Sequence, residues 1–448
     1  MTLRANSYRR ALKRVRYRKN IIHLTDRELN DLRHAFEGLY AISATTADDG
    51  TVDPAGNADD ERGYEWIAGV HGAPPPVYCQ HGTLNFATWH RAYLYRFEKL
   101  LQDQVPSVTL SWWDWAAPEA EQHGLPAAVT DETYVDLDDG QTKPNPLRSA
   151  YNQWTGQPTS RAPRPAAQLA TIAASLEFAM VQTEFPEFSA NLENPHNQLH
   201  VWVGGDMGSV PTAAYDPVFW LHHANVDRNW YMWQQVHPTV AVPAEVRSFV
   251  CEPFNMTGAD TLDVYALGYS YVDEERMVAA DEVRELAAAT GQDTVPEEAR
   301  ANATFVLGSV GARYRRATLE FLHLRPPDDS YLAHLFLNNP DATLDTERSL
   351  GTGYAGMLAL FGHGPCLGGP GHCDVPDRSD DPYDVRPRHH KAPADTYVDV
   401  SFPLAEIVDE ADGEPVDVDV TFVVEDAEGA PVDPSVLEFE SVSLVTRA

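Results

Sequence analysis

The stretch HGAPPPVYCQHGTLNFATWHRAYLYRFE (71–98), read with HNQLH (196–200) and DPVFWLHHANVDR (216–228), decides the fold. Seven of the 17 histidines fall in these three segments, as two clusters: His71, His81 and His90, then His196, His200, His222 and His223. HNQLH sets His196 and His200 at i and i+4 on one helix face, close enough to share an ion. His222 and His223 diverge by about 100° on a helix, so His223 is the candidate third ligand and His222 packs behind it. His81 and His90 are nine apart, which on one helix means opposite faces. His81 therefore belongs to a loop, and a helix opens near Asn85 or Phe86. His71 sits on a separate segment before Pro74–Pro76. Neutral imidazole serves copper, zinc, iron and nickel alike; two all-histidine triads with no carboxylate narrow the choice toward a pair of coppers. Any one of these histidines alone reads as structural, but the joint pattern does not.

Outward from the clusters, the chain reads as a helical part followed by a β part. LTDRELNDLRHAFEGLYAI (24–42) predicts an N-capped amphipathic helix, and 86–103 and 166–183 predict two more. A last core helix is expected to open near His223 and run through Trp230 and Trp233. Residues 45–63 are polar and turn-rich. Residues 116–165, rich in Pro, Asp and Gly, are expected to be long and irregular. From about residue 302 the period shortens: TFVLGSV, ATLEFLHL, YLAHLFLN, GMLALFG, TYVDVSFPL, VDVTFVVED and LEFESVSLV read as strands between turns, the pattern of an antiparallel sandwich. The expected fold is multidomain: a mainly α core (1–271), an acidic connector (272–302) and an all-β C-terminal sandwich (303–448). No internal repeat is present.

Composition limits the partners. At 448 residues, two or three domains are expected. The formal charge is −34, with Lys only at 13, 19, 99, 143 and 391. Such a surface repels nucleic acid and anionic membranes, so neither is an expected partner. It fits a protein kept soluble in concentrated salt, and equally an Arg-rich protein with an acidic tail. Four cysteines (79, 251, 366, 373) are too few for a disulfide scaffold. No apolar run reaches membrane-spanning length. The basic start, MTLRANSYRRALKRVRYRKN, lacks the apolar stretch of a Sec or twin-arginine signal. The expected location is cytoplasmic, with export by a partner as the alternative.

YEWIAGVHGAPPPVYCQHGTLNFATWHRAYLYRFE (64–98) resembles the first copper motif of the tyrosinase and polyphenol oxidase family of type-3 dicopper proteins, which includes catechol oxidases and molluscan haemocyanins. LENPHNQLHVWVGGDMG (192–208) and YDPVFWLHHANVDRNWYMWQ (215–234) resemble the second. The motifs stand in the family's order and cover about 65–235. The resemblance implies a four-helix bundle holding two copper ions, with His71, His81 and His90 on CuA and His196, His200 and His223 on CuB, and O₂ as co-substrate. Arg18 resembles the family's core-entry arginine, and Tyr269-Ser270-Tyr271 the Tyr-x-Tyr motif that closes the core against it. The β region is similar in position to the family's C-terminal domain, which packs over the copper site. Asp227, one turn after His223, is read either as a hydrogen-bond acceptor within the core or as a salt-bridge partner of a nearby Arg.

The resemblance further implies a phenol oxidase that hydroxylates monophenols and oxidises o-diphenols to o-quinones, with small phenols as substrates. Catechol oxidase, o-aminophenol oxidase and a haemocyanin-like O₂ carrier are the alternatives. Cys79, two before His81, matches the cysteine that forms a thioether with that histidine; a buried free thiol is the other reading. Glu193 and Asn197 match the pair that orients a water as the base for the phenol proton. Without that role, Glu193 is a first-turn helix charge and Asn197 a surface amide. Phe219, Val201 and Val210 are expected to shape the substrate pocket, although Phe219 is also readable as plain core. FGHGPCLGGPGHC (361–373) reads first as an ordinary loop and second as a copper-handling site for delivery. A Cys366–Cys373 bridge fits the spacing but not a cytoplasmic setting. The oligomeric state is left open.

Overall fold

The computed structural model describes residues 15–238, 240–271, 290–295, 302–307, 316–366, 391–410 and 416–447. Helix α1 (Asp26–Ser43) starts where the Thr25 hydroxyl accepts the Glu28 amide and the Glu28 carboxylate accepts the Thr25 amide, a reciprocal cap. Leu32, Ala35, Phe36 and Leu39 then recur at helical spacing and are buried. The other main helices are α2 (Tyr64–Gly69), α3 (Phe86–Gln104), α4 (Leu169–Met180), α5 (Phe185–Val203) and α6 (Pro217–Val236). Helix α1 packs on α3, α4 on α5, and α3 and α5 both on α6. Between residues 116 and 165 lie two short helices and two small hairpins, in keeping with the irregular stretch expected there. The last core helix begins at Pro217, not near His223: the Asp216 carboxylate accepts the Val218 amide, and proline suits the first helical position. His223 consequently lies in the second turn, inside the bundle. No described helix is long and apolar enough to cross a membrane.

The two ends of this helical part meet in a parallel strand pair, β1 (Arg16–Arg18) with β2 (Tyr269–Tyr271). The pairing carries Arg18 into the interior. Its guanidinium lies 3.0 Å from Glu98, 3.2 Å from Asp227 and 2.9 Å from the Tyr271 hydroxyl, with its plane 3.6 Å over the Tyr269 ring. Asp227 also takes Arg91 and the hydroxyls of Tyr269 and Tyr271. Both readings of Asp227 therefore hold at once.

The C-terminal region forms two antiparallel sheets. One orders β3 (Thr290–Val295), β11 (Ser441–Arg447), β5 (Arg316–Leu324) and β8 (Ala394–Asp399) as β3-β11-β5-β8. The other orders β4 (Asn302–Leu307), β9 (Val416–Asp426), β6 (Tyr331–Leu337) and β7 (Tyr354–Leu360) as β4-β9-β6-β7, with β10 (Pro431–Val432) on β9. They share an apolar core that includes Leu319, Phe321, Leu335, Leu358, Val420 and Phe422. The region is not all β: Ser401–Glu410 is a helix, α7, which breaks the expected strand TYVDVSFPL after Asp399. Asp399 turns the chain there by accepting the Ser401 amide. Residues 272–289 and 296–301 of the expected acidic connector, and the basic arm before residue 15, lie outside the described residues; β3 occupies part of that connector.

Alternation along β7 divides its side chains between two neighbours. Leu358 and Leu360 face the two-sheet core, while Met357, Ala359 and the following Phe361 join the helical core. Main-chain bonds fasten this side: Gln198 Nε2 donates to the Met357 carbonyl (2.7 Å) and Val210 N to the Gly362 carbonyl (2.9 Å). Arg164 of the helical part pairs with Glu425 on β9 and donates to the Asp426 carbonyl at 2.6 Å.

Glu65 on α2 is buried and accepts the Gln153 amide at 3.0 Å. Burial outweighs that bond and raises its carboxyl from the ordinary 4.5 to about 8. The folded protein therefore holds a proton that the unfolded chain releases from about pH 4.5 upward. Its contribution to stability is full below that pH and is lost as pH rises toward 8, at roughly 1.4 kcal/mol per pH unit. Glu65→Gln should remove this slope, because an amide oxygen accepts the same bond without titrating. Denaturant melts of parent and variant between pH 5 and 8 check it; parallel pH dependences would refute the assignment.

Candidate metal centre

Helix α5 presents His196 and His200 from successive turns, and α6 presents His223 opposite them. The three Nε2 atoms form a triangle with every edge 3.1 Å. The far nitrogens show what that triangle holds. His200 Nδ1 lies 2.8 Å from the Met207 carbonyl, and His196 Nδ1 lies 2.8 Å from the Asn197 amide oxygen. Those oxygens only accept, so each Nδ1 carries the proton and each Nε2 is left with a lone pair. Two lone pairs facing each other at 3.1 Å repel, and a cation at the centre turns that repulsion into coordination. The geometry is that of a metal site.

The second cluster is drawn from more scattered elements. His71 follows α2, with its Nδ1 3.1 Å from the Val210 carbonyl. His90 lies on the second turn of α3, with Nδ1 2.8 Å from the Phe86 carbonyl. These bonds again direct Nε2 inward, where His71 Nε2, His90 Nε2 and both ring nitrogens of His81 have no hydrogen-bond partner. Buried imidazole nitrogens without partners cost stability unless something binds them. His81 stands in the loop before α3, as its spacing requires. Ring centroids in this cluster are 5.2–5.7 Å apart. The clusters adjoin, with His90 4.6 Å from His223 and His81 5.4 Å from His196.

Burial sets the protonation these rings need. It pushes His71 down to about 4 and His196 to about 3, and holds His81, His90, His200 and His223 well below the ordinary range. All six are neutral at pH 7, the form that ligates. Nitrogen donors without carboxylate fit copper ions. The ligand atoms that lie together are those of His196, His200, His222 and His223, those of His71, His90 and His223, and those of His71 and His81 with the Cys79 sulfur.

Around the six, His222 stacks on His196 at 5.0 Å and is fully buried, and a ring nitrogen of it falls in one group with those of His196, His200 and His223. Cys79 is a buried free thiol whose sulfur shares a cluster with the nitrogens of His71 and His81. Burial raises its pKa far above the ordinary thiol range. Glu193 Oε1 accepts the Gly82 amide at 2.7 Å, so the carboxylate clamps the loop that carries His81. Gly82 has φ +61°, and a Cβ there would lie 2.9 Å from Ala394 Cβ; the position requires glycine.

A cavity of about 300 Å³ opens beside the centre. His81, Glu193 and Asn197 line it from the helical part, and Phe361, His363 and Tyr397 from the C-terminal region. Phe219, Val201 and Val210 were expected there but are not among its walls. Phe219 is stacked 4.0 Å from His223, and both valines are buried. The front is taken instead by Phe361, stacked on His200 at 4.2 Å and 21° and edge-on to His81 at 5.6 Å. His363 lies 5.5 Å from His81. Sequence alone does not place either residue at the site, although alternation in GMLALFG puts Met357, Ala359 and Phe361 on one face. Cys366 is disulfide-bonded, against the expectation of an ordinary loop with no bridge; a bridged sulfur has no thiolate with which to hand over copper. Residues 367–373 of that segment lie outside the described residues.

Residues 61–236 match the family model described as the common central domain of tyrosinase. Among curated proteins, the chain is 30% identical over 295 residues to "Hemocyanin A-type, units Ode to Odg" of Enteroctopus dofleini, covering 57% of this chain and 21% of that one. It is 32% identical over 250 residues to "Hemocyanin, beta-C chain unit G" of Helix pomatia, covering 51% of this chain and 54% of that one. The chain thus spans from a fifth to about half the length of these relatives. In fold it is similar to a functional unit of octopus hemocyanin (TM-score 0.65, 23% identity, 97% of this chain and 100% of that one). It is similar also to the tyrosinase of Burkholderia thailandensis (TM-score 0.62, 18% identity, 91% and 94%).

Proposed function

We propose, from the premise that residues 61–236 form a tyrosinase-type central domain of the type-3 dicopper family, that this chain is a copper-dependent phenol oxidase. Its reactions would be the hydroxylation of small monophenols to o-diphenols and the oxidation of o-diphenols to o-quinones with O₂. The observation that carries this reading is a hexahistidine centre with a cavity at its side whose wall includes Glu193 and Asn197. Bound copper supplies the electrons and the Lewis acidity for reducing O₂ and binding a phenol.

The side chains supply position and proton traffic. Asn197 fixes the His196 ring through Nδ1, and carbonyls of Met207, Val210 and Phe86 fix three others, so the inner nitrogens are pre-set. The carboxylate of Glu193 and the amide of Asn197 share one wall, where a water between them would take the phenol proton. The cross-link reading of Cys79 is retained: its sulfur lies within reach of His81, and a thioether would lock a ring that has no hydrogen bond of its own. A Cys79–His81 peptide two hydrogens lighter than its sequence mass would support the bond, and an alkylatable thiol would refute it.

The C-terminal region serves as a shield in this reading. Phe361 covers His200, and the Arg164–Glu425 pair with the Val210–Gly362 bond holds it there. The second reading is a reversible O₂ carrier, favoured by the hemocyanin names of the curated relatives. Oxygen uptake by the copper-loaded chain, with Phe361 replaced by Ala and tyrosine, catechol or o-aminophenol supplied separately, distinguishes the two. Reversible O₂ binding without consumption of any phenol would establish the carrier. Asn197→Ala should lower tyrosine hydroxylation by about a hundredfold, the low end of what general-base help typically contributes, while catechol oxidation falls less. Equal losses on both substrates would remove the proton role.

A further inference from the structure

We propose that the cavity sorts phenols by the charge of the substituent opposite the hydroxyl, favouring ammonium-bearing and neutral phenols over carboxylate-bearing ones. The proposal rests on the phenol-oxidase reading and adds a substrate class to it. One wall of the cavity is a single stripe of α5. Glu187, Ala190, the adjacent pair Glu193 and Asn194, and Asn197 fall at three- or four-residue steps along one helix face. That stripe holds two carboxylates, two amides and no cation. Glu193 is the deep member, clamped to Gly82 beside His81. Glu187 lies six residues earlier, about 9 Å along the helix axis at 1.5 Å per residue, and is exposed. A phenol with its hydroxyl at the centre would point its far substituent toward Glu187.

The opposite wall does not restore the balance. Asp395 adds a third carboxylate, and its Oδ1 is used in capping the His323 amide at 3.0 Å. Arg325 is the one guanidinium among the described residues of that wall, against the three carboxylates of Glu187, Glu193 and Asp395; its pair with Glu438, 3.9 Å away, is exposed. The chain's net charge of −34 acts in the same direction, concentrating cations and repelling anions at a cleft that focuses the field.

The test uses the full-length, copper-loaded Phe361→Ala protein and three catechols with the same reacting ring: dopamine, 4-methylcatechol and 3,4-dihydroxyphenylacetate. At low ionic strength, kcat/KM for dopamine should exceed that for the anion by about tenfold or more, and the ratio should shrink in molar salt. Glu187→Gln should narrow the ratio and Glu187→Lys narrow it further, while the neutral substrate stays within about twofold. Equal kcat/KM for all three, or a ratio unmoved by salt and by Glu187→Lys, would overturn the proposal. If 4-methylcatechol is not oxidised, the oxidase reading falls on its own. Calorimetric binding of dopamine against the anion under nitrogen then decides the charge selection: tighter binding of dopamine upholds it, and equal affinities overturn it.

Discussion

Replacing Phe361 with alanine should raise catechol oxidation by the copper-loaded full-length chain by about tenfold or more. The ring lies flat on His200 at 4.2 Å and edge-on to His81, in the space a phenol needs in order to reach both histidine clusters. On the phenol-oxidase reading a substrate would have to displace it, and each 1.4 kcal/mol of displacement cost is a tenfold loss of kcat/KM. Phe361 is also part of the helical core cluster, so its truncation costs up to about 3–5 kcal/mol of stability. Phe361→Leu provides the control, since it keeps most of the bulk over the site. It should remain slow while Phe361→Ala is fast. If both variants match the parent at equal copper content, Phe361 does not gate the site.

Asp227→Asn should destabilise the helical part by about 3–5 kcal/mol, the usual cost of removing one partner from a buried ionic cluster. Asp227 is buried between Arg18 and Arg91 and receives the hydroxyls of Tyr269 and Tyr271. These cations hold its carboxyl below the ordinary range although burial alone would raise it. An amide of the same shape leaves Arg91 without a carboxylate and Arg18 with Glu98 alone. Denaturant unfolding of the two proteins reads the difference; a loss under about 1 kcal/mol would mean that the cluster contributes specificity rather than stability.

The parts of the site that were legible in the sequence are those in which one helix or one short loop carries the chemistry. The i, i+4 spacing put His196 and His200 on one face, and the nine-residue gap put His81 off α3. The Arg18 and Tyr-x-Tyr segments were legible only through their resemblance to family motifs; the strand pair that joins them links positions about 250 residues apart. What escaped is contributed by main chain or by distant sequence. The oxygens that orient His71, His90 and His200 are carbonyls, and any residue at 210, 86 or 207 supplies one. Phe361 reaches the centre from 138 residues beyond His223, through sheet pairing that no local pattern encodes. Helix α7 was read as strand because SFPL continues a β-like run, and only the turn at Asp399 redirects it. The early start of α6 was signalled by Asp216-Pro217, a cap followed by an N1 proline, but the histidine pair drew the boundary toward itself.

The central claim is that six histidines hold two copper ions in one chain, and elemental analysis of the copper-loaded, desalted protein tests it most directly. Two coppers per chain, falling to one in His200→Gln with the fold intact, is the expected outcome, since the histidines form groups that could hold the ions. One copper or none in the parent, or two retained in His200→Gln, would contradict it.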